Sequence, residues 1–158
     1  MPYTNTMHAG DAISGKMAKC LITIEGRRLD FMVAIALEAK MEKTKVEVPI
    51  LGRPSKGNKT VGWKGTGTAT FHFNTSIVRE YMAKYAATGQ DFYFDIQVVN
   101  EDPTSKVGRQ TILLLDCNID TIILAKFDAN DEYIEEELGF TFENWKLVES
   151  FTPMAGIE

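Results

Sequence analysis

Between positions 29 and 41 an apolar residue occupies every second place: Leu29, Phe31, Val33, Ile35, Leu37, Ala39 and Met41. Interleaved with them are Asp30, Met32, Ala34, Ala36, Glu38, Lys40 and Glu42. On a helix this set scatters around the whole circumference, whereas a strand collects all of it on one face. Intrinsic propensity pulls the other way, because Ala36-Leu37-Glu38-Ala39-Lys40-Met41-Glu42-Lys43 consists of good helix formers. Propensity is a weak prior that tertiary context overrides, so the period of two predicts one long strand over 29–50, continuing through Val46, Val48 and Ile50.

The flanking segments support a β protein. Met17 to Ile24 alternates and closes at Glu25-Gly26-Arg27-Arg28, a turn that joins antiparallel strands. Residues 53–59 form a turn-rich basic loop containing Arg53, Lys56 and Lys59. Trp63, Gly65, Gly67, Ala69, Phe71 and Phe73 then alternate along a second long strand, able to pair with the first as a projecting hairpin. Thr75-Ser76 offers N-caps for one helix through about Thr88, with Val78, Met82, Tyr85 and Ala86 as its inward stripe and Gly89 as its stop. Phe92 to Val98, Thr111 to Leu115, Ile119 to Phe127, Leu138 to Phe142 and Trp145-Lys146-Leu147 supply further strands. The expected class is mainly β: an antiparallel sandwich or barrel of about seven or eight strands, one flanking α-helix and a long projecting β-hairpin.

A chain of 158 residues with 44% hydrophobic and 25% charged residues suits one globular domain over 1–158, with a flexible arm over 1–15 and a short tail over 152–158. Its apolar runs fall far short of the ~20 residues of a membrane-spanning helix, and no basic-then-apolar leader opens it, so neither a membrane partner nor a secretory signal is expected. Cys20 and Cys117 read as small buried hydrophobes. With His8 and His72 they make too sparse a set for zinc, and no metal or other cofactor is expected.

The candidate chemical motifs fail on inspection. Gly65-Thr66-Gly67-Thr68-Ala69-Thr70 lacks the third glycine of a dinucleotide fingerprint and continues a strand where a helix should open. It reads better as a strand thinned for the close approach of another backbone. Asp128, Asn130 and Glu132 hint at a calcium loop, but Tyr133 replaces the turn glycine and Gly139 the bidentate glutamate. Glu135, Glu136 and Glu137 have no basic neighbour in sequence and read as an exposed acidic edge. No catalytic residue is assigned.

Charge is unevenly distributed. Residues 16–64 carry 11 basic and 5 acidic side chains, a net of +6, while 128–149 carry 1 basic and 8 acidic, a net of −7. The basic run Arg53, Lys56 and Lys59 with Lys64 could serve as a nucleic-acid patch, though Trp63 is the one aromatic interleaved with it. Such a run is usually a solvated loop, and a third reading is complementary contact between copies, one molecule's basic loop meeting its neighbour's acidic edge.

Several stretches together resemble a known family. They are Gly15-Lys16-Met17-Ala18 leading to Ile24-Glu25-Gly26; Gly65-Thr66-Gly67-Thr68-Ala69; Tyr85-Ala86-Ala87-Thr88-Gly89; Asp102-Pro103 followed by Gly108-Arg109-Gln110-Thr111; and Glu135 through Trp145. In this order they resemble the tail tube proteins of contractile-tailed, myovirus-type phages, of the kind found in PBSX-like defective prophages. The resemblance covers roughly residues 5 to 151. It implies hexameric rings that stack into an inner tail tube in the virion, assembled in the bacterial host cytoplasm. It also implies sheath, tape measure and baseplate proteins as partners, and DNA or another payload passing through the lumen without specific binding. The residues expected at contacts between copies are Phe31, Val33, Ile35, Leu37, Trp63, Arg53, Lys56, Lys59, Glu135, Glu136 and Glu137. Two other readings stay open: a monomeric or dimeric β-barrel module binding a ligand or nucleic acid, and an enzyme whose triad assembles only in space.

Overall fold

The computed structural model describes residues 7–30 and 34–153. Among them are eight strands and one α-helix: β1 (Ala18–Ile24), β2 (Arg27–Asp30), β3 (Ala34–Val48), β4 (Gly57–His72), α1 (Ile77–Thr88), β5 (Phe94–Glu101), β6 (Arg109–Thr121), β7 (Glu135–Phe142) and β8 (Asn144–Glu149). The mainly antiparallel β class expected from the alternation is therefore what forms. The chain divides into two compact units, with β6 contributing residues to both.

The first unit contains residues up to 32, 93–115 and 145 onward. β1 pairs antiparallel with β2 and with β5, and β6 neighbours β5 on one side and pairs with β8. The β1–β2 link is the predicted tight turn: Glu25 and Gly26 both take positive φ, 49° and 80°, the conformation of a two-residue hairpin whose twist matches its strands. Ile22 faces Ile96 and Ile24 faces Phe94 across the β1–β5 ladder, and all four are buried. Buried Asp102 accepts the amide N–H groups of Thr104 and Ser14, each at 3.0 Å. Buried Asp11 accepts the Lys106 amide at 3.2 Å, and its own carbonyl accepts the Ser105 hydroxyl at 2.9 Å. These bonds lay residues 11–14 along the 102–106 loop.

The second unit contains residues 33–92 and 116–144. Its sheet runs β3-β4-β7, and the end of β6 pairs antiparallel with β7. Phe71, Cys117, Ile119, Leu138, Phe140 and Phe142 are buried there, with Val78 of α1 and Phe92. The two strand glycines explain themselves in this core. A Cβ on Gly65 would stand 2.3 Å from the Phe142 ring, and one on Gly67 would stand 2.4 Å from the Phe140 ring and 2.9 Å from the Glu38 carbonyl oxygen. The glycines admit two aromatic rings, and at Gly67 a neighbouring carbonyl as well. Gly89 closes α1 with a left-handed φ of 75° as expected.

Four expectations need correction. The single strand over 29–50 is two strands, because β2 takes β1 as partner while β3 takes β4; Phe31, Met32 and Val33 lie outside the described residues. Gly57, Asn58 and Lys59 open β4 rather than belonging to the preceding loop. The segments around 111–115 and 119–121 are one strand, and residues 122–127 are not a strand at all. There the Ile123 carbonyl accepts the Arg79 guanidinium. On α1 only the first turns face inward: Val78 is buried and Tyr81 stacks on Phe92 at 5.2 Å, while Tyr85 and Ala86 are exposed.

Candidate assembly surface

β4 pairs with β7 only over Gly65–His72, so residues 57–64 and their β3 partners continue as a two-stranded ribbon. Every residue from Glu38 to Lys56 is exposed. A bare ribbon of this kind is marginal in water, and large apolar side chains along it invite a covering partner. At its end the Arg53 amide donates to the Ile50 carbonyl at 3.2 Å, and Gly52 takes a φ of 86°. This is the pattern of a type II turn, and it presents Leu51 fully exposed.

The sequence-derived contact residues fall into distinct places. Ile35 is exposed and Leu37 half-buried on β3; Phe31 and Val33 are not described. Trp63 is partly exposed and lies 6.3 Å from the Phe142 ring, centroid to centroid. Arg53, Lys56 and Lys59 are all exposed at the ribbon end, with Lys56 at 3.7 Å from Glu47 in a solvent-exposed pair of little energetic weight. Glu137 is exposed and Glu135 half-buried.

Glu136 departs from the exposed acidic edge expected of all three glutamates, being only 2% exposed. Strand alternation turns it inward, where Arg79 Nη1 lies 2.6 Å from its Oε2. The same guanidinium donates to the Ile123 and Thr75 carbonyls and stacks 4.3 Å from the Phe73 ring centroid. Burial pushes the Glu136 carboxyl above its ordinary range, and the charge and hydrogen bond of Arg79 pull it partly back.

Arg79 thereby ties the two ends of the segment over 122–134, whose interior is held by local bonds. The Asn130 amide donates to the Asp128 side chain at 3.0 Å, the Asp131 amide to the Asp128 carbonyl at 3.2 Å, and Lys126 Nζ to the Glu135 carbonyl at 3.0 Å. Tyr133 packs edge-on against His72 and donates its hydroxyl to Glu135, which raises the phenol's pKa above its ordinary value. An open polar cleft of about 430 Å³ lies here, lined by Lys126, Asn130, Asp131, Glu132, Tyr133 and Glu135. In the same segment Leu124 is 72% and Phe127 90% exposed. Neither Arg79 nor these two apolar residues was singled out from sequence. Phe127 ends an apolar run whose pattern predicts a strand, and the pairing of Arg79 with Glu136 spans 57 positions.

A family model described as phage tail tube protein matches residues 5–149. The chain belongs to the phage tail tube protein family. Among its relatives, the phage-like element PBSX protein XkdM of Bacillus subtilis (strain 168) is 38% identical over 146 residues, covering 92% of this chain and 97% of that one. In fold, this tail tube protein is similar to a chain of the anti-feeding prophage baseplate, determined by cryo-EM with 6-fold symmetrisation, at TM-score 0.64 and 9% identity over 87% of this chain and 95% of the other. It is also similar to the SPP1 tail tube, at TM-score 0.60 and 10% identity over 85% and 77% of the two chains.

Proposed function

We propose that the chain acts as a single tail tube domain, that six copies form a ring, and that rings stack into the inner tube of a contractile phage-type tail. The observation that carries this reading is the family match over residues 5–149, joined to a ribbon and a loop whose large apolar side chains are left in solvent. Ile35, Leu37, Trp63 and the undescribed Phe31 and Val33 would serve contacts between copies, together with Arg53, Lys56 and Lys59 against Glu135 and Glu137 of a neighbour. Glu136 serves this indirectly, since its charge is used within its own chain. The role is structural rather than catalytic. Sheath, tape measure and baseplate proteins would be its other partners, the virion tail its destination and the host cytoplasm its place of assembly. DNA or another payload would pass through the lumen, and a net charge of −5 agrees with a lining that does not grip phosphate.

Negative-stain microscopy across a concentration series tests this. Rings and tubes are expected at high concentration. A small species unchanged by concentration would favour the β-barrel binding module instead.

A further inference from the structure

The hydrophobic stripe of the β3–β4 hairpin changes sides along its length. Near the base, Leu37 faces Ala69, Ala39 faces Gly67 and Met41 faces Gly65, on the side where Phe140 and Phe142 lie across from Gly67 and Gly65. The opposite side there is polar, with Glu38 facing Thr68, Lys40 facing Thr66 and Glu42 facing Lys64.

Beyond Thr44 the ladder slips: Thr44 faces Gly62 but Lys45 faces Thr60, leaving Val61 as an extra residue in β4. β3 itself keeps its alternation. Its next apolar residues, Val46 and Val48, therefore lie on the side that was polar at the base, and Lys43, Lys45 and Glu47 lie on the side that was apolar. Ile50 follows Val48, because its Cδ1 sits 2.9 Å from where a Cβ of Gly57 would stand, and Gly57 is the cross-strand partner of Val48. The end of the ribbon thus carries Val46, Val48 and Ile50 exposed on the side away from the one that packs its base, with Leu51 fully exposed at the adjoining turn.

We propose that this distal patch docks on a second copy of the chain, against the Arg79-closed loop over 122–134. The inference rests on the tube-protein reading and supplies the contact that joins one copy to the next. The two surfaces match in kind. Residues 43–64 carry six basic side chains and one acidic one around the apolar patch, a net of +5. Residues 122–144 carry seven acidic side chains and one basic one, Lys126, a net of −6, and Glu136 is the one of these acids that pairs with an arginine among the described residues. The apolar part of that loop is Leu124 and Phe127, and its cleft, where Asp131, Glu132 and Glu135 outnumber the one cation Lys126, is open to a lysine or arginine of the ribbon end. Both surfaces are exposed in the single chain, so neither covers the other. A contact between two different patches of identical molecules leaves one of each patch unused and propagates, as a stack requires. The apolar patch supplies the attraction, and the charges select the partner loop and speed encounter.

The experiment compares the threshold concentration for tube formation, read by sedimentation and negative-stain microscopy, in three full-length proteins. The first is wild type. The second combines Lys45→Val with Val46→Lys, which keeps composition while moving one apolar side chain to the other face. The third is Leu51→Asp at the exposed turn. All these side chains are exposed in the monomer, so monomer Tm stays unchanged. The threshold is expected to rise at least tenfold in both variants. Wild-type thresholds in both would overturn this docking mode and leave the tube reading standing; failure of wild type to assemble at any concentration would overturn both.

Discussion

Nη1 of Arg79 lies 2.6 Å from Oε2 of Glu136, joining the first turn of α1 to the second residue of β7. Burying two charges is expensive, and the pair holds because the guanidinium also serves the Thr75 and Ile123 carbonyls. Removing one partner strands the other. Arg79→Ala is expected to cost about 3–5 kcal/mol in urea unfolding. The double variant Arg79→Met with Glu136→Leu should cost much less than the sum of its single changes. Arg79→Lys should recover little, since a point ammonium cannot reach all three acceptors at once.

The same pair sets a pH dependence. Burial raises the Glu136 carboxyl in the folded state, so the native protein holds that proton more tightly than the unfolded chain does. Its contribution to stability is then full below the unfolded value of ~4.3 and is lost as pH rises through the folded value. Glu136→Gln does not titrate. The Tm of wild type minus that of Glu136→Gln should therefore fall as pH is raised from about 4 to about 7. A difference that grows over this range would show that Arg79 outweighs desolvation.

Gly→Ala within a strand ordinarily adds stability of roughly 0.5–1 kcal/mol. Here the sign should reverse. Gly67→Ala meets both the ring of Phe140, which at 1% exposed has little room to withdraw, and the Glu38 backbone carbonyl. At Gly65→Ala the three nearest atoms all belong to the Phe142 side chain. Chemical denaturation should show losses of about 1–3 kcal/mol, larger at Gly67. Phe142→Leu should relieve part of the cost of Gly65→Ala and none of the cost of Gly67→Ala.

In the first unit, Asp102 holds Ser14 and Thr104 through its two carboxylate oxygens. Asp102→Ala leaves both amides without that acceptor. A loss of about 1–3 kcal/mol is expected, with hydrogen exchange at the Ser14 and Thr104 amides accelerating more than at Ile22 or Ile96 in the β1–β5 ladder.

Much of the fold was legible because its signals are local. The period of two around Ile35, Leu37, Ala39 and Met41 outweighed a run of helix-forming residues, and β3 is a strand. Gly26 and Gly89 marked a hairpin turn and a helix end, where positive φ excludes most other residues. Even the change of side along the ribbon is written in the chain, as a switch from odd apolar positions ending at Met41 to even ones beginning at Val46.

What the chain did not disclose depends on residues distant in sequence. Alternation sends Glu136 and Glu137 to opposite faces, but only tertiary structure gives the inward carboxylate its arginine 57 positions away. The run Ile122-Ile123-Leu124-Ala125 has the composition of a strand, yet the Ile123 carbonyl meets a guanidinium instead of a neighbouring strand. The spacing of Gly65 and Gly67 points to the close approach of another backbone, but it is the pairing with β7 that decides the occupants, the rings of Phe142 and Phe140, and at Gly67 a backbone carbonyl as well. Periodicity and turn chemistry act over a few residues and determine which elements form. Pairing, burial and charge compensation act across the whole chain, and they decide which side chains are spent within one molecule and which remain exposed for the next.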